Sequence, residues 1–185
     1  METHHLEILC QKLLEEIGEN PNREGLQDTP RRFAHAWKEM TSGYGEESKL
    51  AEMCTTFEGE NYDEMIVVKN IEFYSLCEHH LLPIIGSATV GYIPAKKIIG
   101  VSKIPRIVEM FARRLQNQER LTMQIADTLL EVLQPKGVAV RISATHLCMT
   151  MRGVRKRNSV METSAVRGIF RKDSRTRAEF FGIEK

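Results

Sequence analysis

The chain has 185 residues, 42% of them hydrophobic, which is enough for one buried core and predicts a single compact domain with room for an N-terminal appendage. Its 26 lysines and arginines balance 25 aspartates and glutamates, so the overall charge gives no reason to expect a nucleic-acid or membrane partner. No segment is apolar enough for a signal peptide or a membrane-spanning helix. Four cysteines without an export signal are typical of a reducing compartment, and we therefore expect a soluble cytoplasmic protein.

The N-terminal residues are predicted to form two helices. Apolar residues recur at helical spacing from Leu6 to Ile17, and Gly18 follows as a stop signal. The second helix begins at residues 28–30, where an aspartate cap precedes a proline that the first helical turn accepts. We assign residues 1–60 to this N-terminal helical segment and residues 61–185 to a catalytic domain, the two forming one functional unit.

From Glu64 the pattern changes to short runs rich in β-branched and aromatic residues. Strands are predicted at residues 65–68, 71–76 and 84–93. The preceding segment, residues 45–63, is compatible with either a short helix or a loop.

Two further helices follow these strands. The first opens at Ser102 and its apolar face runs to Leu115, and the second carries leucines and isoleucine from Leu121 to Leu133. Residues 135–137 form the turn that closes the pair.

A last strand-rich region completes the pattern. Apolar residues, then His146 and Cys148, occupy every second position from Val138, so an unbroken strand would point them all to one face. A further strand is predicted within residues 160–170, and a short helix after Asp173.

Cysteine and histidine residues outline a metal site. Cys77 and His80 stand at a C-x-x-H spacing just after a strand, which lets one turn aim both side chains at the same ion. Cys148 would complete three ligands and leave the open position that a catalytic zinc needs. His79 and His146 would then remain beside the metal as proton carriers.

A structural zinc site is the alternative that these spacings leave open. It would recruit a fourth ligand, and the sequence offers His79, His146, Cys54 and Cys10 for that position.

Basic residues gather near both metal motifs. Lys103 and Arg106 lie at a predicted helix start, where backbone N–H groups favour anions, and Arg152 follows Cys148 closely. The run at residues 155–157 is more typical of a solvated surface. Gln118 and Glu119 precede a helix and by themselves favour a capping role, although a carboxylate is also a natural partner for the N–H and amino donors of guanine.

Five segments together resemble successive motifs of the GTP cyclohydrolase I family. The match is close, in order, and strong over residues 64–170, and residues 29–34 and 42–44 extend it through the N-terminal helices. The five segments are residues 75–83 (SLCEHHLLP), 91–94 (GYIP), 100–106 (GVSKIPR), 118–122 (QERLT) and 146–153 (HLCMTMRG).

The resemblance implies an α+β tunnelling fold, in which antiparallel strands with a helix pair assemble with other subunits into a barrel, usually a homodecamer of two stacked pentamers. It implies that GTP and water become formate and 7,8-dihydroneopterin triphosphate, the entry step to folate and other pterins. It also implies active sites at subunit interfaces, Zn2+ as the cofactor, and neither nucleic acid nor membrane as a partner.

The resemblance further implies a role for each matching residue. Zinc would lie on Cys77, His80 and Cys148, with a zinc-bound water attacking C8 of the purine. The proton-transfer residues would be His79 and His146. Substrate contacts would come from two groups: Glu119 and Gln118 on guanine, and Lys103, Arg106 and Arg152 on the triphosphate, with Ser102, Glu78 and Arg32 as further contacts.

One position departs from the family pattern. His35 stands where the family commonly has a lysine, which bears on one phosphate contact and not on the chemistry. The competing function is a structural-zinc nucleic-acid-binding module that uses the basic stretch from Arg152 to Arg177. Another purine or pterin enzyme of the same fold would be expected to lack the pair His79 and His146.

Overall fold

The computed structural model describes residues 4–183. The chain divides into two compact units, one ending at Ser42 and the other beginning at Gly43. No helix within the described range is long and apolar enough to cross a bilayer. The functional division at residue 60 stays a prediction.

The first unit contains both predicted N-terminal helices, α1 (His4–Glu16) and α2 (Thr29–Met40), with a short 3-10 helix (Glu24–Leu26) between them. Pro30 lies in the first turn of α2, where its missing N–H costs nothing. Cys10 and Leu14 are the buried side chains of α1.

The second unit contains one large and one small sheet. Its strands and helices, in chain order, are a 3-10 helix (Glu46–Lys49), α3 (Leu50–Met53), β1 (Thr56–Glu58), β2 (Ile66–Cys77), β3 (Pro83–Ile93), β4 (Lys97–Ile99), α4 (Lys103–Ala112), β5 (Leu115–Gln116), α5 (Gln118–Leu133), β6 (Gly137–His146), α6 (Leu147–Thr150), β7 (Met161–Gly168), α7 (Ile169–Lys172) and α8 (Ser174–Gly182). The large sheet has the order β5-β2-β3-β6-β7, and only the short β5 runs parallel to its neighbour.

The predicted fold is confirmed for a single chain. Two antiparallel strands, β2 and β3, are followed by the helices α4 and α5 and then by two more antiparallel strands, β6 and β7. The helix pair packs on one face of the sheet, where Ile107, Leu129 and Val140 are fully buried. A smaller cluster contains Phe170 and Phe180.

The predicted strands at residues 65–68 and 71–76 are one strand. β2 runs through both, and its pairing with β3 shifts register between Val68 and Ile71. Asn70 adopts a positive φ of 54° at this bulge, a conformation that asparagine tolerates better than most residues.

The prediction that the helix opening at Ser102 extends to Leu115 was wrong. α4 ends at Ala112. Arg113 leaves helical geometry with a ψ of 51°, the Arg114 backbone N–H bonds to Ala112 O, and the Arg114 side chain donates from Nε to the Met110 carbonyl. Leu115 instead pairs with Leu76 in β5.

The prediction that Cys148 lies on an unbroken strand was also wrong. β6 ends at His146, which pairs with Ile84, and the next residue of β3 is Pro83. Proline has no N–H to donate to a further ladder bond, so the chain leaves the sheet and places Cys148 in α6.

The ambiguous segment before β2 contains both kinds of regular structure. It forms a 3-10 helix and α3, and then β1, which pairs antiparallel with β4 as a separate two-stranded sheet.

Candidate active site

The first half of the metal motif is held by a tight turn at the end of β2. Cys77 donates its backbone N–H to Leu82 O at 2.8 Å and accepts from the Leu81 N–H at 2.8 Å. Leu81 has a φ of 57°, which lets the chain reverse at once into β3. The turn brings His80 Nδ1 within 3.7 Å of Cys77 Sγ.

The third donor, Cys148, lies in α6, directly after the end of β6. The ligand atoms of Cys77, His80 and Cys148 all lie within 4.8 Å of one another, so this group can hold a metal ion. Two thiols and an imidazole are donors that suit zinc. Among the described residues, no fourth cysteine, histidine, aspartate or glutamate belongs to the group.

The group is asymmetric in its exposure. Cys77 is buried, Cys148 is half-buried and His80 is exposed. Burial and the neighbouring Cys77 thiol raise the pKa of Cys148, while the positive charge of Arg152 opposes the increase. A bound cation would displace the proton of this thiol, because thiolate is the ligand form.

His146, at the end of β6, is held by a glutamine from α5. Its Nε2 lies 2.8 Å from Oε1 of Gln118, which is 1% exposed. The Gln118 Nε2 donates in turn to Ile142 O at 3.1 Å, Met161 O at 2.9 Å and Thr163 Oγ1 at 3.1 Å. The Gln118 amide is thus buried and turned toward protein atoms.

Glu119 is the next residue of α5 and it is exposed. Burial lowers the pKa of His146, and the charge of Glu119 opposes that decrease. The structure therefore brings Gln118, Glu119 and His146 together. Glu119 supplies an exposed carboxylate to this group.

Glu78 is anchored to the start of α5. Its carboxylate accepts from Arg120 Nη2 at 2.5 Å and from Asn117 Nδ2 at 2.9 Å, and these bonds lower the pKa of Glu78. Oε1 of Glu78 also lies 3.7 Å from Nε2 of His79, whose side chain is 68% exposed. These bonds connect the turn that carries Cys77 and His80 to the start of α5, which carries Gln118 and Glu119.

The predicted phosphate contacts fall into two groups in the second unit. Arg152 lies beside the metal group, with Nη1 3.4 Å from His80 Nε2. Ser102, Lys103 and Arg106 lie at the start of α4, and no hydrogen bond joins them to the metal group within the described residues. In the first unit, the exposed Arg32 donates to Asp28 at 3.3 Å.

Comparisons with known proteins identify the family of this chain. The family model described as GTP cyclohydrolase I matches residues 6–185. The chain belongs to the GTP cyclohydrolase I family.

Relatives within this family span nearly the whole chain. The protein named GTP cyclohydrolase 1 from Methylococcus capsulatus is 56% identical over 178 residues, 96% of this chain and 96% of that protein. The Wolinella succinogenes protein of the same name is 55% identical over 177 residues, 96% of this chain and 94% of its own length. The Helicobacter pylori (strain 26695) protein of that name is 52% identical over 180 residues, 97% of this chain and 99% of its own.

Sequence reasoning missed the residues that support the site. Asn117 caps α5 by accepting from the Arg120 N–H at 2.8 Å while its amide holds Glu78. An asparagine directly before a helix start is a capping signal, so this residue could have been found. The anchor of Gln118 at Thr163 joins residues 45 positions apart and has no local sequence signal.

Metal binding by the three-donor group can be measured without substrate. We expect Co2+ added to the metal-free protein to produce thiolate-to-cobalt absorption bands, and Cys148→Ser to weaken these bands and the affinity at least tenfold, because one of two sulfur ligands is lost. Cys54→Ser removes a cysteine outside the group and is the control. Equal bands in wild type and Cys148→Ser would contradict the assignment.

Proposed function

We propose that this protein opens the imidazole ring of GTP by hydrolysis, releases formate and rearranges the product to 7,8-dihydroneopterin triphosphate, the first step of pterin and folate synthesis. The observation that carries the proposal is the three-donor group Cys77, His80 and Cys148 in a chain of this family. His79 Nδ1 lies 3.9 Å from Cys77 Sγ, and His146 precedes Cys148 by two residues.

The metal proposed for the three-donor group is zinc. Its donors are two thiolates and one imidazole, a set that zinc favours, and three protein ligands are the number found in catalytic rather than structural zinc sites. When bound, zinc supplies a Lewis acid that lowers the pKa of water to about 7.

The proposed proton carriers are two histidines with different surroundings. His79 is exposed and lies against the Glu78 carboxylate, so it can exchange protons with solvent and substrate. His146 is partly buried and its lowered pKa favours the neutral imidazole, which can accept a proton at neutral pH.

Glu119 is proposed as the residue that reads guanine. Its carboxylate is exposed and lies beside His146, and a carboxylate accepts from both the ring N–H and the amino group of guanine. Gln118, the other predicted guanine contact, lies next to it with its amide bound to protein atoms.

The triphosphate is proposed to meet positive charge from α4 and from the segment after α6. Lys103 and Arg106 lie one turn apart at the start of α4, Ser102 precedes them, and Arg152 reaches the metal group. Arg32 is proposed as a further contact, and His35 would supply less positive charge than the lysine common in the family.

Assembly into a homodecamer with active sites between subunits is proposed as the working state. Within the described residues, β7 has a neighbour on one side only, and β2 is covered on its outer side by just the two residues of β5. Open sheet edges of this kind pair readily with strands of another chain.

The proposed reaction is tested by incubating the zinc-loaded protein with GTP, oxidising the products, and measuring neopterin fluorescence together with released formate. We expect both products from wild type and neither from Cys148→Ser, with Cys54→Ser retaining turnover. Absence of both products from a zinc-loaded, assembled wild-type protein would overturn the enzyme assignment and favour a structural zinc site.

The role of Glu119 is tested by substrate choice. Glu119→Gln replaces a double acceptor by an amide, so we expect KM for GTP to rise at least tenfold while the preference for GTP over inosine triphosphate, which lacks the amino group, falls. An unchanged preference between the two nucleotides would remove Glu119 from guanine recognition. Glu131→Gln, on an exposed position of the same helix, is the matched control.

The assembly proposal is tested by dilution. We expect specific activity to fall in parallel with dissociation, measured by sedimentation velocity on the same samples, because a lone subunit would lack part of each active site. Dissociated protein with full activity would contradict the interface location of the site.

A further inference from the structure

The side chain of Gln118 is buried and forms its hydrogen bonds with other parts of the protein. It is 1% exposed, and both ends of its amide are occupied, the nitrogen by three acceptors and the oxygen by His146. This residue is therefore part of the protein interior, although Glu119 beside it is exposed.

The orientation of the Gln118 amide follows from its partners. Ile142 O and Met161 O are backbone carbonyls, which only accept, so the amide nitrogen must face them. A flipped amide would set its oxygen against two carbonyl oxygens within about 3 Å and leave these acceptors unpaired. The oxygen must therefore face His146.

Two threonines complete the same pattern. Thr122 Oγ1 donates to Gln118 O at 2.6 Å, so the hydrogen of the 2.7 Å contact between Thr122 Oγ1 and Thr163 Oγ1 comes from Thr163. Thr163 Oγ1 is then free to accept from the Gln118 amide at 3.1 Å. The two hydrogens of the Gln118 amide are thus shared among three acceptors, the two carbonyls and Thr163 Oγ1, all of which require the nitrogen on this side.

The direction of the last bond determines the state of His146. The amide oxygen of Gln118 only accepts, so the ring nitrogen 2.8 Å away, Nε2, must carry a hydrogen. In a neutral imidazole the other nitrogen, Nδ1, then has a free lone pair.

We propose that Gln118 is a positioning residue: its amide oxygen fixes the orientation of the His146 ring and holds that ring in the tautomer with the hydrogen on Nε2. The proposal rests on the proposed function for its catalytic consequence, while the tautomer itself is a property of the resting protein. In this role Gln118 makes no contact with the substrate, so replacing it should lower kcat and leave KM for GTP nearly unchanged.

The tautomer can be read directly by ¹⁵N NMR of histidine-labelled, zinc-loaded protein without GTP, at about pH 8 where a neutral imidazole is expected. His146→Gln identifies the His146 signals by their disappearance. We expect a protonated Nε2 and an unprotonated Nδ1 in wild type, and a mixture of the two tautomers in Gln118→Met, which has similar volume and no acceptor.

A second buried glutamine provides the matched control. Gln116 is also 1% exposed and bonded to Phe111 O, Gln124 and Arg120, and no hydrogen bond joins it to His146. Gln116→Met therefore reproduces the loss of a buried amide, and we expect it to leave the His146 signals unchanged.

Kinetics separate positioning from guanine recognition. We expect Gln118→Met to lower kcat at least tenfold with KM for GTP within twofold of wild type. Zinc content and assembly are measured on each variant, and only variants matching wild type in both are compared.

Two results would overturn the proposal. One is a wild-type His146 with its hydrogen on Nδ1, and the other is a Gln118→Met variant that raises KM while kcat and the tautomer stay the same. A protein that shows the expected tautomer but no turnover with GTP would instead refute the proposed function and leave the hydrogen-bond assignment intact.

Discussion

The active-site geometry depends on the backbone pairing of three adjacent strands. In this register Ile84 of β3 lies between Ser75 of β2 and His146 of β6. The carboxyl ends of β2 and β6, which are distant in sequence, therefore lie at the same end of the sheet. The strands approach closely near this point, because Gly86 pairs with Ala144 and a Cβ on Gly86 would lie 2.5 Å from Ser143 O. A shift of one residue would point His146 to the opposite face and separate the donors.

The second constraint is a set of partly buried polar bonds that attach the start of α5 to the strands. Asn117 and Arg120 reach Glu78 in the turn after β2, while Gln118 reaches His146 in β6 and Met161 in β7. Such bonds contribute little net stability but are costly to break in part, so they favour one arrangement of the helix over its alternatives. Precise placement of Glu119 and His146 follows from this selection.

Much of this arrangement was predictable from local patterns. Helical spacing located α1, α2 and α5, alternation located β3 and β6, and the C-x-x-H spacing identified Cys77 and His80. Predictions failed where a distant residue decided the outcome. Pro83 ends the β6 ladder from another strand, and Leu115 leaves the helical pattern to pair with Leu76 of β2. The partners of the Gln118 side chain also come from two strands, β6 and β7, which no spacing rule connects to α5.

β7 has a consequence that extends beyond the single chain. Its first residue, Met161, pairs with Ala144 and uses its carbonyl to hold the Gln118 amide, yet the strand lies at the outer edge of the sheet. Any strand added at this edge would bear on the same backbone. A strand added to β7 by the proposed assembly would therefore act on the same structural element that aligns His146, and a disturbance of β7 would reach an imidazole one strand inward, on β6.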